Sequence, residues 1–127
     1  MIRDGLAAWD YANADLKYRP GQILIVGESL GGGVAIQLAA HACLRQEIPG
    51  GLVLLATFDS MLNAASHNFP WLPVRRFLLD RYHSDQHIAD VKCAVLQFHG
   101  DQDTIVPLKL GRRLHALTPP TSMQGQP

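Results

Sequence analysis

Val26-Gly27-Glu28-Ser29-Leu30-Gly31-Gly32-Gly33 is the stretch on which the reading of this 127-residue chain turns. Immediately before it, Gln22-Ile23-Leu24-Ile25-Val26 is a short, nearly all-apolar run rich in β-branched residues. That pattern predicts a strand buried on both faces, as in a parallel sheet. Immediately after it, Val34 to Arg45 is alanine-rich and reads as a helix. Strand, glycine-rich turn and helix therefore follow one another without a gap. In that setting Gly27-x-Ser29-x-Gly31 has the form of a nucleophile elbow, in which a serine stands on a sharp turn at the end of a strand. The flanking glycines suit a bend too tight for bulky Cβ substituents. The backbone N–H of Leu30, at the positive end of the helix that starts there, would face a developing oxyanion. A phosphate-binding turn is the rival for a glycine-rich helix start. The chain has neither Gly-Lys-Ser/Thr nor G-x-G-x-x-G here, which argues against it.

Outward from the elbow the chain keeps alternating. Residues 4–18 read as a helix with Ile2, Leu6, Trp9 and Leu16 near one face and Asp4 as its N-cap. Pro20-Gly21 ends it. Pro49-Gly50-Gly51 breaks the chain after the alanine-rich helix, and Leu52 to Thr57 is a second buried strand. Residues 58–90 read as irregular, with a helix at 74–82. Residues 92–98 make a third strand, followed by the turn-rich loop His99-Gly100-Asp101-Gln102-Asp103. Pro107 opens a helix to about Ala116, and the tail from Thr118 is too rich in Pro and Gln to pack. The alternation predicts an α/β fold of about three parallel strands with flanking helices. Ligands of such sheets bind at the carboxyl ends of the strands. Ser29 and Asp103 both lie just past such ends.

Composition narrows the function classes. With 11 basic and 11 acidic residues the formal net charge is zero, unlike the basic footprint of a nucleic-acid binder. Arg75-Arg76 and Arg112-Arg113 read as solvated helix faces. Cys43 and Cys93 make neither a disulfide framework nor a metal site, and each reads as a small buried hydrophobe. A reducing, cytoplasmic compartment fits them. No apolar run is long enough for a signal peptide core or a membrane span.

Three stretches together resemble the α/β-hydrolase superfamily, most closely its serine-aminopeptidase-like and bud-emergence-protein-like branch. They are Val26 to Gly33, then Phe69-Pro70-Trp71-Leu72-Pro73-Val74-Arg75, then His99-Gly100-Asp101-Gln102-Asp103-Thr104-Ile105-Val106-Pro107. The likeness spans roughly residues 1–117. It implies a partial α/β-hydrolase fold whose three strands correspond to the fifth, sixth and seventh of eight, with residues 58–90 as a short cap insertion. It implies Ser29 as nucleophile, Asp103 as triad acid and Leu30 as donor of half the oxyanion hole. The implied substrate is a small acyl compound, an ester, thioester or amide, with no cofactor, metal or nucleic acid.

The same resemblance implies a histidine after a further strand. The only histidine after Asp103 is His115, inside a helix pattern. The chain therefore reads as a fragment truncated at both ends, with weak or no hydrolysis of its own, and a non-catalytic interaction module is the alternative. Exposed sheet edges would favour self-association. Asp101 reads as a loop-shaping residue and Asp59 as a turn or cap residue. His99 reads as a support of the acid loop. His83 and His87, near Asp85 and Asp90, read as solvent-exposed rather than metal-binding. Phe69, Trp71 and Phe77 suit either an acyl pocket or plain packing.

Overall fold

A computed structural model describes residues 2–57 and 84–120 of the chain. The expected helix at 74–82, the cap region up to residue 83, and Asp59, Phe69, Trp71, Phe77 and His83 lie outside the described residues, as does the tail from 121. Three parallel strands form one sheet in chain order: β1 (Leu24–Glu28), β2 (Gly51–Leu55) and β3 (Val95–Phe98). The register pairs Ile25 with Leu52 and Leu52 with Val95. Helix α1 (Ile2–Ala14) precedes β1, and α2 (Leu30–Leu44) joins β1 to β2. A short α3 (Ser84–His87) continues into a 3₁₀ turn at Ile88–Asp90, and α4 (Leu108–Leu117) follows β3. The expected α/β class with three parallel strands is what the structure has.

The core lies on one face of this sheet. Ile25, Leu52, Leu54 and Val95 meet Ala35, Ile36, Ala39 and Ala40 of α2, Trp9 of α1, Ile88 and Leu114. The alanines are the reason α2 can lie close: a helix surface without long side chains approaches the strands until backbone and Cβ atoms touch. The expectation of strands buried on both faces is corrected for β1 and β3, while the central β2 has no exposed residue. Side chains alternate across a strand, and β1 is buried only at alternate positions. Leu24 and Val26 are 64% and 61% exposed, and Leu96 and Phe98 are 45% and 51% exposed. Val26 pairs with Val53 and Val53 with Leu96, so this second face carries a continuous apolar row.

Element boundaries shift for local reasons. Helix α1 already includes Ile2, so Asp4 sits in its first turn instead of capping it. A carboxylate there still complements the helix dipole. Leu16 falls beyond the helix and is half exposed, leaving Trp9 as the buried residue of α1. Its indole N–H donates to Glu47 Oε2 at 2.7 Å, and Arg45 bridges Asp10 (2.9 Å) and Glu47 (3.0 Å). These bonds tie α1 to the α2–β2 connection. Strand β2 stops at Leu55 because Ala56 turns to φ 48°. Strand β3 starts only at Val95; before it, the Lys92 N–H donates to Cys43 Sγ of α2 at 3.3 Å and Cys93 is buried in the core. Both cysteines are buried free thiols, and burial, with Cys43 nearby, pushes Cys93 up to about 11. Residues 84–90, expected to be irregular, are helical. Thr118, expected in an unpacked tail, is buried and donates to the Leu114 carbonyl.

Ala56 holds its left-handed conformation while its N–H donates to the Phe98 carbonyl at 2.9 Å. For an L-residue that conformation costs roughly 1–2 kcal/mol, which glycine avoids. Ala56→Gly is therefore expected to leave urea-unfolding stability unchanged or raise it by up to about 1 kcal/mol. Ala56→Val, with a β-branched side chain in the same conformation, is expected to lower it by more than about 1 kcal/mol.

Candidate functional site

Ser29 sits between β1 and α2 at φ 48°, ψ −117°. Non-glycine residues rarely adopt such values, and holding one there costs on the order of 1–3 kcal/mol. The surrounding bonds hold it. The Ser29 N–H donates to the Leu55 carbonyl at 2.9 Å, and the Ser29 carbonyl accepts from the Gly32 N–H at 3.1 Å. Two glycines make the bend sterically possible. A Cβ on Gly27 would come within 2.6 Å of the Ala35 Cβ and the Gly32 Cα, and one on Gly32 would run into the Thr57 side chain. Gly31, expected to be one of the space-limited positions, faces open space with nothing within 4 Å. The close approach falls at Gly27 and Gly32 instead. Thr57, buried under Gly32, is a residue that sequence reasoning passed over. It stood only as the last residue of an expected strand, and nothing local marks it as a contact of the elbow.

Leu30 opens α2, so its N–H belongs to the first turn, where helices offer no internal acceptor. That donor lies beside the positive end of a 15-residue helix. The Leu30 side chain packs against Val106 and Leu110. Val106 belongs to the loop that carries Asp103, and Leu110 to α4. The elbow and the acid-bearing loop are therefore in side-chain contact. The backbone agrees: Ser29 N–H reaches the end of β2, and Ala56 N–H reaches the end of β3 at Phe98. Ser29 and the 99–103 loop emerge from the same rim of the parallel sheet.

Asp103 is built into its loop. Its Oδ1 accepts from the N–H groups of Ile105 (2.9 Å) and Val106 (2.8 Å), and its own N–H donates to the Gly100 carbonyl at 3.3 Å. Oδ2 lies 4.0 Å from His99 Nε2, beyond hydrogen-bond range. The carboxylate is 21% exposed, so one oxygen anchors the loop while the other is left for a further donor. The expectation that Asp101 shapes the loop through backbone N–H groups is corrected: Asp103 does so, and Asp101 is exposed. The His99 side chain is 5% exposed, with Nε2 at 2.6 Å from the Val106 carbonyl. His115 is exposed on α4 and lines, with Gln97, His99, Leu108, Gly111 and Arg112, a groove of about 350 Å³. Among the described residues no side chain hydrogen-bonds the Ser29 hydroxyl. No cluster of three or more His, Cys, Asp or Glu is arranged to hold a metal among them. No helix of the described residues is long and apolar enough to cross a membrane.

A strained serine between a parallel strand and a helix, on one rim with a loop-anchored aspartate, is the arrangement of the α/β-hydrolase fold. No model of a protein family matches the chain. Among known proteins it is similar to an uncharacterized protein of Mycobacterium tuberculosis, 41% identical over 91% of this chain and 40% of that protein. It is similar to the lysophosphatidylserine lipase ABHD12 of Danio rerio, 36% identical over 92% of this chain and 34% of the relative. The chain thus spans about two fifths and one third of the length of these relatives. In structure it resembles a monoacylglycerol lipase of Paleococcus ferrophilus, with a TM-score of 0.60 at 18% identity over 92% of this chain and 61% of that one. The chain has a partial α/β-hydrolase fold.

The two close approaches and the open glycine make a direct contrast. Gly32→Ala and Gly27→Ala are each expected to lower stability by about 1–3 kcal/mol, the usual cost of overpacking a tight contact. Gly31→Ala, in the first turn of α2 and facing open space, is expected to leave it unchanged or raise it by up to about 1 kcal/mol. Chemical unfolding monitored by circular dichroism checks all three.

Proposed function

We propose that this chain carries the nucleophile, the triad acid and half the oxyanion hole of a serine hydrolase acting on carboxylic esters with a lipid-like acyl chain. Ser29 is the nucleophile, Asp103 the acid and Leu30 the donor of the oxyanion N–H. One observation carries the reading: the packing of Leu30 on Val106, which sets a serine at φ 48° beside a loop whose aspartate keeps one oxygen unbonded by its backbone amides. The ester class rests on the lipase names of the relatives and of the structural neighbour.

In this mechanism Ser29 Oγ attacks the acyl carbonyl, the ester C–O bond breaks, the alcohol leaves with the proton the base took from Ser29, and water then hydrolyses the acyl-enzyme to release the acid. The Leu30 N–H stabilises the tetrahedral oxyanion, with the α2 dipole adding to it. Asp103 Oδ2 accepts a hydrogen bond from the histidine that takes the Ser29 proton, holding that imidazole in the required tautomer. His99 does not fill the role of base, since its Nε2 is committed to the Val106 carbonyl inside the protein. The base in this reading is a histidine that is not among the described residues.

Loss of the histidine in a triad lowers turnover on the order of 10⁶-fold, as measured in another serine hydrolase. The 127-residue chain alone is therefore expected to hydrolyse a p-nitrophenyl acyl ester no faster than its Ser29→Ala variant. The decisive measurement places residues 2–117 of this chain into the Mycobacterium tuberculosis relative in place of its matching segment. A fluorophosphonate probe is expected to label the chimera at Ser29, located by peptide mass spectrometry. Ser29→Ala is expected to abolish labelling, and Asp103→Asn to slow it by about 10⁴-fold, the loss seen when a triad acid can no longer set the tautomer. A folded chimera that the probe leaves unlabelled at Ser29 refutes the proposal.

A further inference from the structure

We infer that His99 is a positioning residue for Asp103, acting through Val106 as the Nε2–H tautomer, with Gly111 of α4 as the site that receives its ring. The inference deepens the reading of Asp103 as the triad acid and rests on it.

The argument begins with the carbonyl of Val106. A carbonyl oxygen only accepts, so the His99 nitrogen at 2.6 Å from it carries the proton. The neutral ring then has its lone pair on Nδ1. That atom is buried and has no hydrogen-bond partner among the described residues. Gly111 accounts for this. A Cβ at position 111 would collide with His99 Nδ1, so the ring edge is covered by the bare Cα of a glycine, not by a polar group. The opposite tautomer would set a lone pair against the Val106 carbonyl, which is repulsive. Only one neutral form of the ring fits the place it occupies.

Val106 is then clamped on both sides of its own residue. Its carbonyl is bonded to His99 and its N–H to Asp103 Oδ1 at 2.8 Å. Its side chain is buried against Leu110, with Leu30 of the elbow packed on both. Gln97, two residues before His99 and on the same side of β3, donates its side-chain N–H to the Gly111 carbonyl at 2.9 Å. The end of β3 therefore grips α4 at a single residue, once through a hydrogen bond and once through a ring contact. Asp103 has no direct bond to His99, because 4.0 Å is too long. The influence of the imidazole on the carboxylate passes through residue Val106, whose carbonyl meets His99 and whose N–H meets Asp103, and holds the loop amides in place around one carboxylate oxygen.

The test needs no turnover, so its failure is separable from failure of the hydrolase reading. Long-range ¹H–¹⁵N NMR of the unaltered chain is expected to show His99 as the Nε2–H tautomer. The Nδ1–H tautomer overturns the inference, whether or not any variant folds. Amide hydrogen exchange then compares His99→Phe, which keeps bulk without a donor, with His99→Gln, whose side-chain N–H reaches a similar distance. At Ile105 and Val106 the Phe variant is expected to exchange about tenfold faster, the factor of roughly one hydrogen bond. Leu52 and Leu54 of β2 are expected to keep their rates, and the Gln variant to restore slow exchange in the loop. Unchanged loop exchange in the Phe variant, or equal acceleration in loop and β2, overturns the inference; the second result makes His99 a residue of general stability.

Discussion

The strained turn at Ser29 exists because α2 comes into backbone contact with the strands it follows. Gly27 touches Gly32 and Ala35, and Gly32 touches Thr57 at the end of β2. Above those contacts the chain passes from strand to helix through Ser29, a residue with positive φ. The hydrogen bond from Ser29 N–H to the Leu55 carbonyl holds that bend against the neighbouring strand. The alanine-rich surface of α2 serves the same end, since longer side chains would lift the helix away and relax the turn. The position of the serine hydroxyl above the sheet is thus a consequence of packing between small residues beneath it.

A second contact converts a turn into a site. Leu30, next to the serine, rests on Val106 and Leu110, and Val106 is the residue whose N–H and carbonyl are held by Asp103 and His99. Movement of the acid loop is therefore opposed from three directions: by the elbow, by the imidazole, and by α4 through Gly111. The carboxylate oxygen that bonds two loop amides is fixed, and this settles the orientation of the other. The contact of Leu30 with the buried Val106 and Leu110 is apolar and joins the serine turn to the loop that carries Asp103.

The sheet itself is one-sided among the described residues. Helices cover the face of Ile25, Leu52, Leu54 and Val95, and the row Val26, Val53, Leu96 lies on the other. Leucine, valine and phenylalanine on that second face explain why the strands read as fully apolar although alternate residues of β1 and β3 are exposed. The composition of a strand reports the surfaces its side chains are suited to meet. It does not report which of them are covered by the residues described.

Much of this was legible along the chain. A β-branched run, a Gly-x-Ser-x-Gly turn and an alanine-rich helix are local signals, and each acts within a few residues through backbone sterics and periodicity, so strand, bend and helix could be placed from the sequence by itself. The same holds for Asp103 as a residue just past a strand, and for the α/β class. The rest depended on atoms far apart in sequence. Nothing near residue 57 announces that its side chain fills the space beneath Gly32, and nothing near 111 shows that a glycine is needed there for the ring of His99. Gly31 looked like its neighbours in the motif and proved to face open space, because a spacing of residues says nothing of what stands opposite them. Only the tertiary structure decided which glycines are constrained, which aspartate anchors the loop and which strand face is covered. Those properties belong to contacts between segments, and a contact needs both partners in place before it exists.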